Sequence, residues 1–126
     1  MPYLHRRVPT EGNNFGKGKV NRMRYLIAYI TTKDASEARK IGEAVVNERI
    51  AACANIIPAI ESVYWWKGKL QKDKEAVLIL KTKKSLAKKL IKRVKELHGY
   101  GVPCIDMIEI TDGNPDCFKW IEEVTK

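Results

Sequence analysis

From Tyr25 onward the spacing of apolar residues changes several times, and each change marks an element. Tyr25 to Thr31 (Tyr-Leu-Ile-Ala-Tyr-Ile-Thr) is apolar at both parities, which predicts a central strand covered on both faces. Asp34, with Glu37 three residues on, predicts a capped helix start, and Ala38, Ile41, Val45 and Val46 supply its buried stripe until about Glu48.

The stretch from Arg49 to Lys81 reads as a long β-hairpin. Its first arm is rich in β-branched and aromatic residues, its second contains the apolar run Ala76 to Leu80, and Lys67-Gly68 provides the reversal. Fully extended, Cys53 to Trp66 spans roughly 45 Å, far more than an ordinary strand. The arm therefore either bends, with Pro58 as the natural site, or projects past the sheet and pairs with another chain. The second option predicts an oligomer.

A second helix follows, capped by Thr82 or Ser85, with Leu86, Leu90, Ile91, Val94 and Leu97 on one face and Lys84, Lys88, Lys92 and Lys95 on the other. Gly99 is placed for a left-handed C-terminal cap. A fourth strand is predicted from Val102 to Thr111, with Pro103 at its start. Asn114-Pro115 then opens a last helix whose apolar side holds Cys117, Phe118, Ile121 and Val124. The order is β-α-β-β-α-β plus a C-terminal helix, an α+β ferredoxin-like sandwich. Right-handed crossovers put the first and third strands in the centre and the proline-containing second and fourth on the edges.

With 126 residues the chain holds one such domain, expected over residues 23–126. Residues 1–22, rich in Pro, Gly, Asn and charge, read as a flexible basic N-terminal extension. Net charge is +9, and residues 1–24 alone, with six basic side chains and one acid, contribute +5 of it. The remaining body is only mildly basic, which disfavours nucleic acid as a partner. Three cysteines without Cys-x-x-Cys spacing argue against a disulfide framework. No apolar run has the length of a membrane span, and none at the N-terminus resembles a signal peptide; a cytoplasmic location is expected.

Several blocks then carry a family resemblance. Ala52-Cys53-Ala54-Asn55-Ile56, Ser62 to Lys69 (Ser-Val-Tyr-Trp-Trp-Lys-Gly-Lys), Glu75, Lys81-Thr82, His98-Gly99-Tyr100-Gly101-Val102-Pro103 and Phe118-Lys119-Trp120-Ile121 stand in the order found in the CutA family of divalent-cation tolerance proteins, which the chain resembles from about Met23 onward. The resemblance implies a heat-stable homotrimer, related in architecture to PII signalling proteins, associated with copper and other divalent metals. Three departures stand out. Ile30 occupies the position of a copper-associated cysteine of bacterial members, Leu97-His98 replaces a common His-His pair, and Cys104 follows Pro103 where glutamate is common.

The candidate metal donors are His98 and Cys104, which a glycine-containing loop joins, and Cys53, which also reads as a small buried hydrophobe. A metal ion, copper or another divalent ion, is the only cofactor expected. Tyr64, Trp65 and Trp66 read as trimer-interface packing, with a stacking platform for bases or a ligand as the alternative. No catalytic motif occurs: there is no phosphate loop, no His-Glu-x-x-His and no Gly-x-Ser-x-Gly. Two other readings compete. A PII-like trimer could sense a small anionic ligand through Lys67, Lys69 and Lys81. An RNA-recognition module shares the element order and could use Tyr25 and Tyr29, although the third strand, Ala-Val-Leu-Ile-Leu, has no aromatic to stack a base.

Overall fold

Asp34 has extended backbone, and its side chain accepts a hydrogen bond from the Glu37 amide at 2.8 Å, so the first helix begins where the capping pattern puts it. In the computed structural model, which describes residues 24–126, that helix is α1, Ala35–Asn47. It follows β1 (Tyr25–Thr32) and precedes β2 (Cys53–Trp66) and β3 (Lys69–Lys83). A 3-10 turn, Lys84–Leu86, leads into α2 (Ala87–Leu97), then β4 (Ile105–Ile110) and α3 (Pro115–Val124). The expected extension over residues 1–22 lies outside the described residues.

The sheet order is β2-β3-β1-β4 with every neighbouring pair antiparallel. The ferredoxin-like arrangement predicted from the element order is therefore the fold, with β1 and β3 central. Helices α1 and α2 cover one face. Ala28 and Ile30 of β1, and Ala76, Leu78 and Leu80 of β3, meet Ala38, Ile41, Val45, Leu90 and Val94 in a fully buried core. Each large aliphatic side chain so buried stabilises the fold by about 1.5–3 kcal/mol. At the far end of α1, Arg93 grips Glu48 through two contacts of 2.8 and 3.0 Å, tying the two helices together at the surface.

The other face is covered only in part. There α3 packs at one end of β1, with the Phe118 ring stacked on Tyr25 at 4.5 Å and 1°, and Ala52 and Ile121 completing a second small core. Asn114 caps α3 through the Asp116 amide, with Pro115 in the first turn as predicted. Its C-terminal end is held by Arg49, which donates to the Val124 carbonyl and whose own carbonyl accepts from the Lys126 amide. Past α3 the face is open. Residues paired across the ladders share it, so Ile27 and Tyr29 of β1, Ile57 of β2 and Ile108 of β4 lie together there, with Tyr29, Ile57 and Ile108 exposed. The expectation that β1 is covered on both faces thus holds at Tyr25 and fails at Tyr29, because α3 reaches only the first part of the strand.

The hairpin both bends and projects. The β2–β3 register slips between Ile57 and Ile60, so Pro58 and Ala59 form a bulge where a residue without an N–H does least harm. Beyond it β3 continues from Glu75 to Lys69 with β1 no longer beside it, since the β1 ladder ends at Thr32 opposite Ala76. Lys67 and Gly68 close the tip with φ of 50° and 76°, the conformation of a tight type I′ hairpin turn, which glycine adopts without strain.

Three boundaries differ from the sequence reading. Thr82 does not cap α2; it is a buried β3 residue whose hydroxyl donates to the Ile50 carbonyl at 2.6 Å. Ser85 lies within the 3-10 turn, and α2 begins at Ala87 without a side-chain cap. Strand β4 starts at Ile105 rather than Val102, because the preceding loop is held elsewhere, as shown next. Gly99 is not a left-handed cap: α2 ends on His98 in extended conformation, and Gly99 is absent from the positive-φ positions.

Candidate functional site

The loop after α2 is built around a buried histidine and a buried glutamate. The His98 side chain is wholly enclosed and the Glu37 side chain 6% exposed. His98 Nδ1 accepts from the Tyr100 amide at 3.1 Å, so Nε2 carries the proton and donates to the Thr31 carbonyl at 2.7 Å. Glu37, from the first turn of α1, accepts from the Gly99 amide at 3.0 Å and, with its other oxygen, from the Lys33 amide at 3.2 Å. A Cβ on Gly99 would lie 2.8 Å from that Glu37 oxygen, which is why glycine stands there. The loop is thereby strapped to the end of β1 and the start of α1.

Tyr100 extends the network toward the hairpin. Its ring tilts against His98, with centroids 4.8 Å apart, and its hydroxyl donates to Glu75 at 2.6 Å. Burial first, and then the Glu75 carboxylate, hold the Tyr100 hydroxyl well above the usual tyrosine range. The Tyr64 hydroxyl donates to Asp73 and is raised for the same kind of reason, with the hydrogen bond foremost; burial and Glu122 raise Tyr25. A folded-state pKa above the unfolded value near 10 contributes stability that is complete below pH 10 and is lost as pH rises through the raised value. Denaturant midpoints measured from pH 8 to 12 should therefore fall above pH 10, and Tyr100→Phe should fall less steeply; an identical slope in the variant would remove Tyr100 from the linkage.

The three candidate metal donors are not gathered at one point. Both ring nitrogens of His98 are occupied by main-chain groups, leaving neither lone pair directed at an ion. Cys104 is exposed just before β4, whereas Cys53 is half-buried at the start of β2, on the opposite edge of the sheet. Three strand spacings separate those edges, about 14 Å. Burial pushes the Cys53 thiol up, against a lowering influence of Lys81. Among the described residues no group of three or more His, Cys, Asp or Glu side chains could hold an ion. A resident metal enclosed by one chain through His98, Cys53 and Cys104 does not fit this arrangement.

The aromatic tip is exposed: Trp65 is 72% and Trp66 51% accessible, Tyr64 is also exposed, and Val63 and Leu70 stand beside them. Lys67 lies 5.9 Å over the Trp66 ring. Lys69 and Lys81 sit at opposite ends of β3, about 40 Å apart at 3.3 Å per residue, so one chain does not assemble them with Lys67 around a small ligand. Tyr25 is stacked beneath α3 and presents no face to a base. The role of Glu37 beyond the helix cap was not readable from its position near Asp34, although a glycine immediately after His98 signals close approach to something. The pairing of Tyr100 with Glu75 had no local signal at all.

Comparison with known proteins gives a consistent picture. The family described as CutA1 divalent ion tolerance protein matches residues 26–124. The divalent-cation tolerance protein CutA of Pyrococcus horikoshii is 44% identical over 101 residues, covering 80% of this chain and 98% of that protein. A chloroplastic CutA 1 of rice is 39% identical over the same share of this chain, which spans only 57% of that relative; for a chloroplastic CutA of Arabidopsis thaliana the share is 56%. The Thermus thermophilus divalent cation tolerance protein superposes with a TM-score of 0.79 at 40% identity, over 81% of this chain and 99% of that one. The family's description names tolerance of ions rather than a reaction.

These relatives overturn the expectation of a cytoplasmic location. The plant proteins are named chloroplastic, and an Archaeoglobus fulgidus structure with a TM-score of 0.78 is described as a periplasmic divalent cation tolerance protein. Among the described residues no helix is long and apolar enough to cross a membrane.

Proposed function

Because this chain belongs to the CutA1 divalent ion tolerance family, we propose that it is a non-catalytic metal-ion tolerance protein that works as a homotrimer, with copper among its ions. Residues 23–126 form the working unit and residues 1–22 an appended extension. The observation that carries the assembly is the pairing of an open apolar sheet face with an overhanging hairpin. Ile27, Tyr29, Ile57 and Ile108 lack a covering layer, and the tip exposes consecutive aromatics beside unpaired strand edges. A soluble chain leaves neither in water without cost, and closing a ring of identical subunits buries both. Tyr64, Trp65 and Trp66 serve as packing between subunits in this reading.

The ion-handling groups are the thiols. Soft sulfur donors suit copper, Cys104 is exposed and Cys53 is partly so, whereas His98 is committed to the main chain. Sedimentation velocity on the full chain should give the mass of three 14.4 kDa subunits, and Trp65→Ala with Trp66→Ala should reduce it to that of one. Cells expressing the protein should outgrow controls at elevated copper or zinc. A wild type that sediments as a monomer would sink the assembly, and growth equal to the control would sink the tolerance role.

A further inference from the structure

Helix α2 carries a pattern of charge that neither its packing nor ion tolerance uses. Leu90 and Val94 are buried against the sheet, and every exposed residue of α2 is charged: Lys88, Lys89, Lys92, Lys95 and Glu96. Arg93 is spent on Glu48 and Glu96, and Lys84, just before the helix, on Glu109. Four lysines remain, and among the described residues they form no ion pair. Lys88, Lys92 and Lys95 stand four and three residues apart, on the side of α2 turned away from Leu90 and Val94, over about 10 Å of helix. Lys89 flanks them. Like charges at these spacings weaken a helix, and α2 also starts without a side-chain cap. The single chain thus holds a repulsion that an anionic partner would relieve.

We propose that this lysine face of α2 docks an acidic helical segment of a partner protein. Carboxylates three and four residues apart on one side of a helix recur at the same spacing of about 5–6 Å as Lys88, Lys92 and Lys95, so three charge pairs form at once. Other polyanions fit less well. A nucleic-acid strand gains most from aromatic side chains on which its bases stack, and a bilayer from apolar side chains that enter it; the exposed surface of α2 has neither. The face lies on the helical side of the sheet, whereas the contact proposed between subunits lies on the other side, so both can be occupied at once. Closure of a ring then presents three copies of the face, and a partner with several acidic segments gains affinity from holding more than one.

The test titrates the full chain into a fluorescein-labelled helical peptide of roughly 20 residues, with glutamates three and four apart, and reads anisotropy at low salt. The triple variant Lys88→Gln, Lys92→Gln, Lys95→Gln should bind about tenfold more weakly than wild type, the loss of three surface charge pairs. Arginine at the same three positions should restore binding. The variant Lys33→Gln, Lys72→Gln, Lys119→Gln removes the same net charge from exposed positions on other elements and should bind as the wild type does. Residues 1–22 are present in every variant, so their charge cancels from the comparison. The first variant should also melt at a higher temperature than wild type, because the repulsion along α2 is gone, which separates weaker binding from misfolding. Equal affinity in the two glutamine variants would reduce the face to a solvated surface and overturn the proposal. Oligo-dT and phosphatidylserine vesicles are titrated in parallel. Binding of either that is tighter than that of the peptide, and lost in the same triple variant, overturns the acidic-protein occupant. None of these outcomes bears on ion tolerance, which growth at elevated copper or zinc reads separately.

Discussion

Ile27→Glu combined with Ile108→Glu should convert the proposed trimer into folded monomers. The two side chains are register partners on the open face of the sheet, and Ile108 is 51% exposed in the single chain. In a closed ring each subunit contributes two carboxylates to an apolar interface. Burying an unpaired charge costs at least several kcal/mol, so every interface loses more than a typical assembly can spare. The subunit itself should survive, since its principal core lies behind the sheet, where Ala28, Ile30, Leu78 and Leu80 meet α1 and α2. Sedimentation should give a single-chain mass, with the far-UV circular dichroism of the wild type. A trimer that persists would place the contact on the hairpin alone.

Glu37→Ala should cost the subunit about 2–4 kcal/mol. The change strands two partly buried amides, those of Lys33 and Gly99, and an unsatisfied buried donor costs about 1–3 kcal/mol. It also removes the strap that holds the end of α1 to the loop containing His98 and Tyr100. Glu37→Gln keeps an acceptor oxygen and should recover about half the loss. Denaturant unfolding at several protein concentrations gives the stability change free of assembly, and hydrogen exchange at the Gly99 and Tyr100 amides reports the strap directly. Unchanged exchange in Glu37→Ala would mean that the loop is held by the His98 bonds alone.

These two substitutions mark the border between what a sequence reading reaches and what it misses. Interactions near in sequence or periodic were legible. The cap at Asp34, the Pro115 start of α3, the reversal at Lys67-Gly68 and the order of strands all follow from local chemistry and from the apolar runs of β1 and β3. Misreadings arose where a distant partner outweighed a local preference. Thr82 has the chemistry of a helix cap, yet its hydroxyl is used 32 residues away by Ile50. Gly99 stands where helices commonly end in a left-handed glycine, yet it is kept small by Glu37, 62 residues earlier in the chain. His98 has the chemistry of a metal ligand, and only the positions of the Thr31 carbonyl and Tyr100 amide reveal that both nitrogens are spent.

The overhanging hairpin has a consequence for time as well as shape. From Lys69 to Lys74 its second arm has only the first arm beside it in the sheet, so a lone chain gains little by ordering it, and in the proposed trimer the reward for its order arrives with a second and third copy. Folding of the sheet and its helices is then unimolecular, whereas completion of the hairpin is governed by encounter between chains. In the proposed trimer unfolding reverses that order: subunits separate before any one of them can open. Resistance to heat in such a protein is set by the rate of dissociation, and the temperature at which it fails should rise with protein concentration and with scan rate.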